Sequence, residues 1–131
     1  MIGYVTLGTN DLARASAFYD EIARILGHGR MFETDRMTAW GTPGKTAMMG
    51  VITPLNEQPA TGGNGSMFGI PVEREEQVHQ IYDHALANGG SDEGPPGPRE
   101  FGMPIYAAYM RDPDGNKLCA LFMTGEPGEG A

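Results

Sequence analysis

The spacing of apolar residues changes along this chain, and each change marks an element. Residues 2–8, Ile-Gly-Tyr-Val-Thr-Leu-Gly, alternate as a half-buried strand does. From Leu12 the spacing turns helical: Leu12, Ala15, Phe18, Tyr19, Ile22, Ile25 and Leu26 share one face. Asn10 or Asp11 can cap that helix, and Gly27 can end it in a left-handed conformation. Three short strands are predicted next, near 30–34, 37–41 and 46–52. Residues 53–66 are rich in Gly, Pro and Asn and form a polar connection.

The pattern then starts again. Residues 67–72 predict a strand. Residues 74–88 predict a helix with Val78, Ile81, Tyr82, Ala85 and Leu86 on one face and Gly89 as its stop. A short strand near 91–93 or slightly later precedes Gly-Pro-Pro-Gly-Pro, and a long loop carrying Arg99, Glu100, Phe101 and Met103 leads to Pro104. Residues 106–123 predict a hairpin. Pro113 presets the turn, Asp112 accepts from turn amides and Gly115 takes φ > 0, so Asp-Pro-Asp-Gly fits a type I turn with a G1 bulge. That register opposes Arg111 to Lys117 and Tyr109 to Cys119. Ala107, Tyr109, Cys119, Leu121 and Met123 then share one face, and Tyr106, Ala108, Leu118, Ala120 and Phe122 the other. Tyr4 to Met67 is 63 residues and Gly27 to Gly89 is 62, so one module occurs twice.

Composition narrows the partners. The chain has 131 residues, 40% of them hydrophobic, enough for one domain with a real core. Its net charge of −8 disfavours nucleic acid and anionic membranes, and favours a cationic ligand if it favours any. A single cysteine excludes an internal disulfide. The opening residues carry no signal-peptide pattern and no run spans a membrane, so a cytoplasmic location is expected.

Two stretches resemble a known family. Residues 4–20, Tyr-Val-Thr-Leu-Gly-Thr-Asn-Asp-Leu-Ala-Arg-Ala-Ser-Ala-Phe-Tyr-Asp, and Asp-Pro-Asp-Gly-Asn-Lys before the last strand are similar to the vicinal-oxygen-chelate superfamily. That group includes glyoxalase I, extradiol dioxygenases, and fosfomycin- and bleomycin-resistance proteins. The resemblance implies an α+β fold of two β-α-β-β-β modules, a curved mixed sheet around a cavity, and a homodimer. It also implies one domain over 1–123, with modules at 1–52 and 67–123 on either side of the polar linker at 53–66; the Gly- and Glu-rich tail at 124–131 is expected to be flexible.

The family's metal enzymes place ligands on the first and last strand of each module. The matching positions here are Tyr4, Met67 and Cys119, with the fourth in a 46–52 segment that has no His, Asp or Glu. Phenol, thioether and one thiol make a poor cation site, so no metal and no cofactor are expected. His28 falls in a loop. His79 and His84, five apart on a helix, do not share a face and are read as solvent-facing. Residues 39–46 imitate a phosphate loop but begin with Ala39, and 112–116 imitate a calcium loop without its glutamate. Arg111 and Lys117 read as a solvated pair at the hairpin edge.

Two functions remain. One is a metal-free lyase or isomerase in which Tyr109 donates to an oxyanion, with Tyr4 and Thr6 orienting the substrate. The other is sequestration of a cationic or amphipathic molecule, as in bleomycin-resistance proteins. Tyr109 is the catalytic candidate; Tyr4, Thr6, Met67, Cys119 and Arg99 are the ligand-binding candidates. The plain alternative is that these residues only fill and satisfy the core, Cys119 above all.

Overall fold

In a computed structural model, residues 1–100 and 102–125 are described. Each module is a strand, a helix and three strands. Module one comprises β1 (Tyr4–Gly8), α1 (Leu12–Leu26), β2 (Gly29–Glu33), β3 (Met37–Gly41) and β4 (Met48–Ile52). Module two comprises β5 (Phe68–Pro71), α2 (Glu75–Ala87), β6 (Ser91–Glu100), β7 (Pro104–Arg111) and β8 (Lys117–Met123). The eight strands form two mixed four-stranded sheets, ordered β1-β4-β3-β2 and β5-β8-β7-β6. In each, the first strand runs parallel to the last of its module, as the crossover through a helix requires. Among the described residues no helix is long and apolar enough to cross a membrane.

Local chemistry sets the helix ends. The Asp11 carboxylate accepts from the Arg14 amide at 3.0 Å and caps α1. Gly27 ends α1 at φ +82, where its N–H returns to the last helical carbonyls. Both helices cover the same side of the fold. Phe18, Tyr19 and Ile22 of α1 meet Val78, Ile81 and Ala85 of α2 in one core with Trp40, Val51, Ile70 and Leu118. His84 is not solvent-facing as expected. It is half-buried, donates from Nε2 to the Phe18 carbonyl at 2.8 Å and lies against the Phe18 ring. Helical spacing misplaced it because its partner is on the other helix. His79 is exposed and bonds the Tyr106 hydroxyl at 2.7 Å.

The final hairpin has the predicted register. Tyr109 opposes Cys119, Arg111 opposes Lys117, and the Asp112 amide bonds the Asn116 carbonyl at 2.9 Å. Gly115 sits at φ +90 with open space where a Cβ would project. Gly115→Val should therefore cost about 1–2 kcal/mol through backbone strain alone. A urea midpoint equal to wild type would contradict that.

The stretch before the hairpin differs from its expected form. Residues 91–100 are one ten-residue strand rather than a short strand and a long loop. Its prolines survive because β6 is an edge strand, where a missing N–H costs no ladder bond. The register against β7 slips between Asp92 and Gly94 and again between Gly94 and Gly97. Phe101 and residues 126–131, most of the predicted tail, lie outside the described residues.

Candidate functional site

Alternation divides each sheet into a helix-covered face and an open face. In module two, Leu118 and Ala120 join the main core, whereas Cys119 and Leu121 pack on the open side with Ile105, Ala107 and Tyr109. By the same alternation Lys117 belongs to the open side. In module one, Val5 and Leu7 point inward and Tyr4 and Thr6 are exposed on the other face.

Tyr109 is the centre of the open face. Two cations lie near its ring: the Arg99 guanidinium carbon is 5.8 Å and the Lys117 Nζ 5.7 Å from the ring centroid. Neither cation is paired with a carboxylate among the described residues. Arg99 is aimed by backbone carbonyls of its own strand, with Nη2 donating to Pro95 O at 2.6 Å and Nη1 to Pro98 O at 3.1 Å. Two glycines make room. A Cβ on Gly97 would come within 2.9 Å of Arg99 Nη1, and one on Gly94 within 3.2 Å of the Tyr109 ring. The slipped, glycine-bearing form of β6 is therefore what seats Arg99 over Tyr109.

Cys119 stands opposite Tyr109 and is 4% exposed. Burial pushes the thiol pKa up, while Tyr109, Arg99 and Lys117 pull in the other direction without prevailing. Burial also raises Tyr109, helped by Cys119 and opposed by Arg99. Both groups are thus protonated at neutral pH. Tyr109 is suited to donating a hydrogen bond, and Cys119 is not a ready nucleophile. Replacing Lys117 with Ala removes a cation that favours thiolate. The thiolate absorbance of Cys119 should then appear at higher pH than in wild type, and an unchanged titration would place Lys117 outside the thiol's field.

A second pocket, about 240 Å³, adjoins this cluster through Lys117. Thr6 and Met67 line it with Gly62, Ser66 and Asn116. Five of the six predicted residues therefore fall in two neighbouring places joined by Lys117: Arg99, Tyr109 and Cys119 in one, Thr6 and Met67 in the other. Tyr4 lies apart, 65% exposed beside Met48 on β1. Lys117 is the residue that sequence reasoning missed. Arg111, its expected companion, turns instead to Glu93 at 2.6 Å and the Gly115 carbonyl at 2.7 Å. The available signal was Lys117's spacing of two from Cys119, which puts both on one face.

The positions that hold metal in resembling enzymes do not suit one here. Tyr4 pairs with Met48, and Thr6 with Gly50, so β4 contributes methionine or glycine. Cys119 adds a single buried thiol. Among the described residues no three His, Cys, Asp or Glu side chains converge.

The family model for the glyoxalase/bleomycin resistance protein/dioxygenase superfamily matches residues 1–120. A glyoxalase/bleomycin resistance protein from Albidiferax ferrireducens T118 is 41% identical, with a TM-score of 0.83 over 93% of this chain and 98% of that one. A family enzyme from Burkholderia phytofirmans PsJN shares the fold at 21% identity and TM-score 0.70, over 92% of this chain and 97% of that one. A glyoxalase-related enzyme from Fulvimarina pelagi does so at 22% and 0.71, over 93% and 87%. No curated protein matches the chain. With two β-α-β-β-β modules and a family match over nearly its whole length, this chain belongs to the glyoxalase/bleomycin resistance protein/dioxygenase superfamily.

Proposed function

We propose that this protein binds a small anionic molecule on the open face of module two, through side chains rather than a metal. One observation carries the reading: Arg99 and Lys117, two cations without carboxylate partners among the described residues, stand near a protonated tyrosine in a chain of net charge −8. Removing two cations from acidic neighbours leaves a local field opposite in sign to the whole. The cationic ligand suggested by total charge has no support at this face. Tyr109 donates to the anion, and the Thr6 and Ser66 hydroxyls supply further contacts through the adjoining pocket.

A lyase or isomerase finds less support, because proton transfer at neutral pH needs a group that titrates there. Tyr109 and Cys119 are both shifted upward, and no carboxylate or imidazole lines the pocket beside Lys117. A second copy of the chain completes the site in this reading. Tyr4, Phe32, Met67 and Met123 are each more than two-fifths exposed, and β1 and β5 each have a free edge. Sedimentation equilibrium at micromolar concentration should show a dimer. A purely monomeric species would remove that part of the proposal.

Calorimetric titration with phosphate, oxalate and glutathione, against spermidine as the cationic control, tests the ligand class. At least one anion should bind, and Arg99→Ala and Lys117→Ala should each weaken it about tenfold or more. Tyr109→Phe should weaken it too while leaving thermal stability within ~1 kcal/mol, since the ring packing remains. Binding of spermidine alone, indifferent to both cation variants, would overturn the proposal.

A further inference from the structure

We infer that the seam between the two modules holds a second binding site, for a small uncharged aromatic molecule carrying one hydroxyl. The site is an apolar cavity of about 290 Å³ on the helix-covered side of β1, away from Tyr109 and Cys119. Ile22 and Leu26 of α1, Trp40 of β3 and Met49 of β4 form its walls, and Phe68 and Ile70 of β5 close it from module two. No lysine, arginine, aspartate or glutamate lines it. A charged ligand would be desolvated there without compensation, so the occupant is neutral. A cavity with such walls is not one that water fills well, because water needs two or more polar partners.

The polar side chains in the walls are nearly all engaged. Trp40 Nε1 donates to Asp20 Oδ1 at 2.9 Å, the Tyr19 hydroxyl donates to Asp112 Oδ2 at 2.6 Å, and Thr46 Oγ1 accepts from the Thr42 amide at 2.8 Å. His28 is the exception. Its Nδ1 bonds Thr42 Oγ1 at 2.7 Å, and its Nε2 has no partner among the described residues. Nε2 is a donor in one tautomer and an acceptor in the other. A phenolic hydroxyl, which both donates and accepts, satisfies either. The walls suit the rest of such a molecule: Trp40 and Phe68 supply ring faces and edges, and the Met48 and Met49 thioethers pack well on aromatics. This inference does not rest on anion binding at Arg99 and Lys117, which lie on the opposite face.

The chain carries its own reporter, since its one tryptophan is Trp40. Adding 4-propylphenol, with excitation at the red edge of tryptophan absorption, should change the emission saturably at one site per chain. Propylbenzene should bind at least fivefold more weakly, and that gap should close in His28→Phe. Val5→Phe, which fills the cavity from β1, should weaken 4-propylphenol at least tenfold. Methionine methyl spectra of the wild type locate the probe without any variant. Met48 and Met49 should shift with 4-propylphenol, whereas phosphate should move Met67. A non-saturating emission change, equal binding of the two probes, or shifts confined to Met67 and Met123 would each overturn the assignment.

Discussion

Asp112→Ala should destabilise the protein by roughly 3–5 kcal/mol, because it leaves a set of buried donors without their acceptor. Asp112 is 4% exposed. One oxygen accepts from the Asp114 and Asn116 amides at 2.9 Å each, which forms the turn. The other accepts from the Tyr19 hydroxyl at 2.6 Å and Asn116 Nδ2 at 2.9 Å. Tyr19 belongs to α1 of module one, so this carboxylate joins the modules as well as the turn. Its neighbour extends the junction: Asp114 accepts from Thr9 Oγ1 at 2.6 Å, the Asn10 amide at 2.9 Å and Arg14 at 3.2 Å, at the start of α1. Asn116 Nδ2 also reaches the Gly8 carbonyl at 3.0 Å. Tyr19→Phe should cost less, about 1–3 kcal/mol, since one donor is removed and the ring stays. The two changes share a bond and should be clearly non-additive in urea denaturation. An Asp112→Ala loss below ~1 kcal/mol would show that water replaces the carboxylate at no net cost.

The local half of that network was legible in the sequence and the distant half was not. Asp-Pro-Asp-Gly announced a turn because its residues act on amides within four positions. That Asp112 also meets Tyr19 across 93 positions follows only once α1 and the hairpin share a core. The same division holds elsewhere. The Asp11 cap, the Gly27 stop and the Tyr109–Cys119 register were readable from short-range rules. The extent of β6 was not, because prolines and glycines ordinarily interrupt a strand, and only its edge position admits them. At the candidate site, the face shared by Tyr109 and Cys119 was legible from alternation. The charge over it was not, because Arg99 arrives through two register slips in a neighbouring strand. Total charge suggested a cationic ligand, whereas the ligand proposed for this face is anionic, because Arg99 and Lys117 meet at Tyr109 and a sum over the chain does not register where its charges stand.

Gly62→Ala should have the second large effect, on stability and on the pocket beside Lys117 together. The linker looked in sequence like a loose polar connection, yet at Gly62 it passes directly over the hairpin turn. An added Cβ would stand 2.1 Å from the Gly115 carbonyl oxygen and 2.6 Å from its carbon. These are backbone atoms held by the Asp112 turn and by Arg111, so neither can step aside cheaply. The linker must lift instead, giving up its contact with the turn at a cost of about 2–4 kcal/mol. Gly8 limits its retreat nearby, since the Ala60 side chain already sits 2.9 Å from where a Gly8 Cβ would project. Gly62, Gly63 and Ser66 form one wall of the pocket that Thr6, Met67 and Lys117 complete. Lifting the linker therefore opens that pocket, and anion affinity should fall along with the urea midpoint. Gly63→Ala is the informative comparison. Gly63 has φ +74 and meets only the Ser66 side chain, so its penalty is about 1 kcal/mol of backbone strain, without a backbone collision. Equal losses for the two variants would mean that conformational freedom, and not the close approach to Gly115, is what the linker glycines supply.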